Sequence, residues 1–223
     1  MEVRAERIKK EYLRKSKGTN IFTAVAETDF TLTGGQLTVI RGRSGSGKST
    51  FLHILSGILE PTAGTVYLDN TDLYAMPDAA QSQFRNQHIG FIPQTQSAIA
   101  SLTVTENILL PISLYGGIDD EAVEWAKELM DELAILPLAE AMPVELSGGE
   151  LRRIAIARAL IRRPEIVFAD EPTGDLDDEN TRIVFGMLQK AAKAGASVLM
   201  VTHEDEAEQF ADRLYKMDAG VLS

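Results

Sequence analysis

The period of apolar and polar positions changes several times along this chain. Leu37-Thr-Val-Ile40, Ile166-Val-Phe-Ala169 and Ser197-Val-Leu-Met-Val201 are short, apolar, largely β-branched runs, the pattern of strands buried on both faces. Between them the period lengthens. Ala122, Trp125, Ala126, Leu129, Met130 and Leu133 recur at helical spacing, which predicts an amphipathic helix over 119–134 with Trp125 on its core stripe. The same criteria predict strands near 3–12, 21–33, 37–42, 64–69, 88–93, 165–170, 197–202 and 213–218. They predict helices near 48–58, 78–86, 104–115, 119–134, 147–162, 178–194 and 204–211. Asp218-Ala-Gly220 reads as a hairpin turn. Both flanks alternate strand and helix, whereas the middle is helix-rich. The expected fold class is α/β: one domain over 1–223, with a mainly parallel sheet, an antiparallel β subdomain and a helical subdomain inserted at approximately 95–162.

Composition narrows the class. The 223 residues are 44% apolar and 25% charged, which suits a packed core. There is no cysteine, so disulfides and Cys-ligated metal sites are excluded. No run approaches the ~18 apolar residues that cross a bilayer. The stretch from Met1 to Lys10 is charged and lacks the apolar core of a signal peptide. The chain is therefore expected to be soluble, with no direct membrane insertion, and to act at a membrane only through a partner. A net charge of −11 argues against a broad nucleic-acid surface and against adsorption to anionic lipid. Two basic clusters, Lys9 to Lys17 and Arg152 to Arg163, read as solvated faces.

The chemistry begins at Gly42. Residues Gly42, Arg43, Ser44, Gly45, Ser46, Gly47, Lys48 and Ser49 match the full phosphate-binding P-loop pattern, and Thr50 continues into the helix. A strand precedes the motif and a helix follows it, the context in which it carries meaning. Glycines let successive N–H groups face an anion, and the helix N-terminus adds its dipole. Lys48 is placed to reach the β- and γ-phosphates and the Ser49 hydroxyl to bind Mg²⁺. This sets the fold expectation at a P-loop NTPase core.

Two further segments fit that core. Ile166-Val-Phe-Ala-Asp-Glu171 is a buried strand ending in two carboxylates. Alone it reads equally as an acidic strand end opening a Pro172-Thr-Gly174 turn. Beside a P-loop, Asp170 suits Mg²⁺, and Glu171, on the other side of the strand, suits a water attacking the γ-phosphate. Leu146-Ser-Gly-Gly-Glu150 is a second glycine-rich loop at a helix start. Ser147 and Glu150 have capping-box spacing, so the segment reads either as a capped helix or as a second anion site. One ATP hardly needs two such loops from one chain, which points to a second copy.

With these motifs in hand, the chain resembles the ATP-binding subunit of an ABC transporter over nearly its whole length. Ser147, Gly148, Gly149 and Glu150 are similar to the family signature, whose last position is more often Gln. The resemblance implies ATP and Mg²⁺ as cofactors and a head-to-tail homodimer with two ATP molecules, each between one P-loop and the other copy's signature. It implies a transmembrane permease as partner and a place on the cytoplasmic face of the cell membrane. It assigns Gln94, in Ile92-Pro-Gln94, to the loop that touches Mg²⁺ and the permease. It assigns Gly174-Asp-Leu-Asp177 to the interface loop and His203 to the switch histidine near the γ-phosphate. The adenine-stacking aromatic falls on Tyr12, with Phe22 as the alternative. His53 and His88 receive no role.

The segments around Asp170, Gln94 and Ser147 are similar to cassettes of lipoprotein-release, macrolide-efflux, antimicrobial-peptide and haem-export systems, and to the cell-division cassette. The chain departs from that group at Asp175, usually Asn, and at Leu151-Arg152-Arg153, usually Gln-Gln-Arg. The implied function is ATP hydrolysis driving export or mechanical transmission by a separate permease. An ATP-gated adaptor is the competing reading. A third, an ATPase acting on nucleic acid or ribosomes, fits poorly: the span from Lys48 to Ser147 is too short for an inserted coiled coil, only one cassette is present, and the chain is acidic.

Overall fold

The computed structural model describes residues 1–13, 21–95, 97–174 and 176–223. Lys17 of the first basic cluster and Asp175 of the loop expected at the interface lie outside the described residues.

Five strands form the centre: β3 (Gln36–Arg41), β6 (Ile89–Ile92), β7 (Ile166–Asp170), β8 (Ser197–Thr202) and β9 (Arg213–Asp218). They are parallel and ordered β9-β3-β8-β7-β6. A two-residue strand β10 (Val221–Leu222) turns back antiparallel to β9, completing the hairpin expected at 218–220. Every residue of β7 and β8 is buried, because helices cover both faces of the sheet.

On one face lies α1 (Lys48–Leu55), with Phe51, Leu52, Ile54 and Leu55 buried against Ile40, Phe168 and Val201. The same apolar cluster includes residues of a second, antiparallel sheet of β1 (Val3–Leu13), β2 (Ile21–Leu32), β4 (Ala63–Leu68) and β5 (Thr71–Asp72), ordered β2-β1-β4-β5. An edge-to-face contact of Phe30 on Phe51, with centroids 5.3 Å apart, joins the two layers. After β5 the helix α2 (Asp78–His88) leads into β6.

The opposite face meets α3 (Val104–Ser113), α4 (Asp120–Glu132), α5 (Gly148–Leu160) and α6 (Asp178–Lys193). Val39, Val167 and Met200 from the sheet share one apolar cluster with Ile108, Leu129, Ile154 and Phe185 from these helices. Truncating a fully buried ring such as Phe168 or Phe185 costs roughly 3–5 kcal/mol. Trp125 lies at the rim of this cluster, partly buried, beneath the Arg163 guanidinium.

Two expectations need correction. The helix expected at 204–211 is a short 3₁₀ turn, Glu206–Phe210, whose acidic neighbours are drawn into tertiary ion pairs. The Arg152–Arg163 cluster is not a simple solvated face. Arg152 is buried, and its guanidinium donates to the carbonyls of Pro93 at 2.7 Å and Gln94 at 2.6 Å. Arg158 donates to the Ser97 carbonyl at 2.8 Å. These arginines answer the carbonyls of Pro93, Gln94 and Ser97, which belong to no strand or helix.

Candidate functional site

The loop after β3 is tightly bounded. A Cβ at Gly42 would sit 2.2 Å from the Met217 carbonyl oxygen, and one at Gly47 would sit 2.1 Å from the Ala24 carbonyl oxygen. Gly47 also has a φ of +106°, the left-handed region that glycine tolerates. The helix α1 that follows has no side-chain cap and no acidic residue in its first turn. Its leading N–H groups are left to an outside acceptor. Ser46 Oγ is buried without a hydrogen-bond partner. An unfilled buried hydroxyl and an uncapped helix end together fit a phosphate chain.

Lys48 is buried at the floor. Its Nζ donates to the carbonyls of Gly42 at 2.7 Å and Arg43 at 3.2 Å, and lies 3.4 Å from Glu171 Oε1. Ser49 Oγ donates to Asp170 Oδ1 at 2.9 Å. Asp170 ends β7 on the α1 side of the sheet, and burial pushes its carboxyl above the usual range, against the opposing Ser49 hydrogen bond. Hydroxyl and carboxylate together offer hard oxygen donors suited to Mg²⁺, which keeps several waters when bound.

Glu171 leaves the strand in a left-handed conformation, φ 47°, which costs a non-glycine residue of order 1–3 kcal/mol. Its N–H is held by the Val201 carbonyl at 2.9 Å. The side chain thereby meets His203, whose backbone N–H and ring Nδ1 both donate to Glu171 Oε2, at 3.2 Å and 2.8 Å. The parallel β7-β8 pairing brings these residues together from adjacent C-terminal strand ends. His203 is otherwise exposed, its side chain 62% accessible.

One cleft of ≈ 340 Å³ gathers Ser44, Gly45, Gly47, Lys48, Ser49, Thr50, Gln94 and Glu171, with Tyr12, Phe22 and Ala24 along its wall. Tyr12 and Phe22 are cross-strand neighbours on β1 and β2, so both aromatic candidates flank the same opening. Arg43 is exposed on the loop and does not line the cleft.

The second glycine-rich loop is elsewhere. Ser147 caps α5: Glu150 N–H donates to Ser147 Oγ at 3.3 Å, while Ser147 N–H and Oγ donate to Glu150 Oε2 at 2.7 Å and 2.8 Å. The backbone hydrogen bond from Ser147 holds the Glu150 carboxyl below its usual range, with the Ser147 hydroxyl adding to it. Ser147 and Gly148 are exposed, and none of Ser147, Gly148, Gly149 and Glu150 lines the cleft. In the loop expected at the dimer interface, Asp177 caps α6 by accepting from Asn180 N–H at 2.8 Å.

His53, given no role by the sequence, lies close to the acid at the end of β7. Its Nε2 lies 3.8 Å from Asp170 Oδ2. The signal was present: His53 follows Ser49 by four residues on α1, so both share the face that looks onto Asp170.

The family described as ABC transporter matches residues 25–174 of this chain. The chain belongs to the ABC transporter family. The lipoprotein-releasing system ATP-binding protein LolD of Shewanella frigidimarina is 38% identical over 221 residues, covering 99% of this chain and 91% of that protein. LolD of Rickettsia bellii is 38% identical over 208 residues, covering 93% and 92%. Among solved structures, the dimeric ABC transporter cassette MJ0796 superposes with a TM-score of 0.90 at 33% identity, covering 98% of this chain and 95% of that one. A post-hydrolysis dimer of MJ0796 bound to ADP and Pi also gives 0.90, at 32% identity, covering 99% and 97%. As an ABC transporter cassette, the chain is an ATP-binding subunit and an ATPase, and the P-loop cleft described above is where its fold offers room for the nucleotide.

Proposed function

We propose that this chain drives a separate transmembrane permease of the lipoprotein-releasing type, as a head-to-tail homodimer on the cytoplasmic face of the membrane. The carrying observation is a separation: Lys48, Ser49, Gln94 and Glu171 line one cleft, while the exposed Ser147 and Gly148 lie outside it. A second copy, facing the first, supplies its Ser147 loop to the γ-phosphate. Relatives named for lipoprotein release, 38% identical, support the choice of system. The helix-rich segment near 95–162 acts as the subdomain that meets the permease, with Gln94 at its hinge.

In this reading the N–H groups of residues 43–49 and the Lys48 ammonium bind the phosphates. Ser49 and Asp170, with Gln94, hold Mg²⁺, which supplies neutralisation of phosphate charge when bound. Glu171 orients the attacking water and accepts its proton, and His203 holds that carboxylate in place beside the γ-phosphate. Little covalent chemistry is asked of the protein, so positioning and charge carry the rate. Tyr12 or Phe22 stacks on adenine.

ATP turnover of the chain purified with its permease tests the proposal. Stimulation several-fold over the isolated chain is the expected result. Assembly that needs ATP but proceeds with negligible turnover would replace it with the adaptor reading. Binding to DNA or ribosomes at physiological salt would contradict it.

A further inference from the structure

The segment after His203 is clamped from two sides by side chains the mechanism above does not use. On one side, Arg41 at the end of β3 bridges Asp205 and Glu208 with separate guanidinium nitrogens. On the other, Thr173 Oγ1 donates to Glu204 Oε2 at 2.6 Å. Thr173 is fully buried, two residues beyond Glu171, and Glu204 is the immediate neighbour of His203. Segments 171–173 and 203–204 are therefore joined by two rungs: Glu171 to His203, and Thr173 to Glu204. The Glu204 end is itself braced, since its N–H donates to Thr202 Oγ1 at 3.1 Å.

We propose that Thr173 is a positioning residue: its hydroxyl, through Glu204, fixes His203 against Glu171 and ties that pair to the interface loop that starts at Gly174. The reasoning is geometric. His203 is largely exposed, and its ring is hydrogen-bonded to Glu171. An exposed ring keeps one rotamer only if its backbone is held. The Thr173 rung holds it from the segment that carries Glu171 itself. Gly174 N–H is also bonded to the Glu171 carbonyl at 3.3 Å and Leu176 N–H to the Thr173 carbonyl at 3.0 Å. Displacement of Gly174 or Leu176 by a facing copy therefore passes to Thr173 and, through it, to His203. The inference rests on the proposed role of His203.

The test uses the full chain and ATP. Thr173→Val keeps the shape and removes the donor; Thr173→Ser keeps the donor. Thr173→Val lowers kcat about tenfold, equivalent to about 1.4 kcal/mol of barrier, and leaves the ATP KM within roughly twofold. Thr173→Ser restores kcat. On a His203→Ala background Thr173→Val has no further effect, because it acts through that ring. The chain has three histidines, so their ring NMR signals are separable. Thr173→Val shifts the His203 ring signals and leaves those of His53 and His88 in place. If Thr173→Val is fully active, multiplies the loss of His203→Ala, or leaves the His203 signals unmoved, the positioning role is wrong. If His203→Ala itself keeps full activity, the underlying reading of His203 fails instead.

Discussion

Two glycine-rich turns open helices in this chain, and they treat the helix end in opposite ways. The turn at 42–47 leaves α1 without a side-chain cap, with no acid in its first turn and with a buried, unpartnered Ser46 hydroxyl. The turn at 146–149 closes on itself. Ser147 and Glu150 form a capping box, and the Glu150 carboxylate already sits at the N-terminus of α5. A glycine-rich helix start is therefore not one kind of site. The first leaves its helix-end N–H groups and the Ser46 hydroxyl open to an anion. The second has spent part of its capacity on its own carboxylate and suits a ligand already fixed by another surface.

Replacing Lys48 should break this contrast most severely. Lys48→Ala removes the one cation that lines the cleft among the described residues and should weaken nucleotide binding by about 100-fold or more, read by equilibrium titration. Ser147→Ala should leave the affinity of the isolated chain unchanged. It should instead lower stability by about 1 kcal/mol, the usual worth of an N-cap, seen as a fall of roughly 2–4 °C in Tm for a chain of this size. Equal loss of affinity in both variants would erase the distinction.

The aromatic wall gives a smaller effect. Whichever of Tyr12→Ala and Phe22→Ala removes the adenine platform should raise the ATP KM several-fold, about 1 kcal/mol, with kcat little changed. The smallest effect is the acid response of the second loop. Glu150 has a depressed pKa in the folded chain, so its contribution to stability is present above the ordinary carboxylate range. It is lost as pH falls through the depressed value. Thermal melts between pH 7 and pH 3 should show a shallower acid slope in Glu150→Gln. An identical slope would mean that the carboxylate contributes nothing to the cap.

Much of this was legible in the chain. The runs at 37–40, 166–169 and 197–201 became the central buried strands, because all-apolar runs of that length need cover on both faces. Lys48, Ser49, Asp170 and Glu171 were legible because their spacing is local to a strand end. What was not legible depended on strand order. The Glu171–His203 contact exists because β7 and β8 are neighbours, and the Arg41 bridges exist because β3 adjoins β8. The arginines of α5 read as solvated from charge alone. Only the three-dimensional placement of Pro93, Gln94 and Ser97 reveals the carbonyls they satisfy. The helix expected at 204–211 failed for the same reason: Glu204, Asp205 and Glu208 have partners far off in sequence, and these override local propensity.

The central claim is that a nucleotide held by Lys48 in one copy is completed by Ser147 of another. It is tested most directly by light scattering of Glu171→Gln with ATP and Mg²⁺. The account predicts a particle of twice the 24.4 kDa chain mass that forms only with ATP and is abolished by adding Ser147→Arg. A chain that binds ATP yet stays single, or a dimer indifferent to Ser147→Arg, would contradict it.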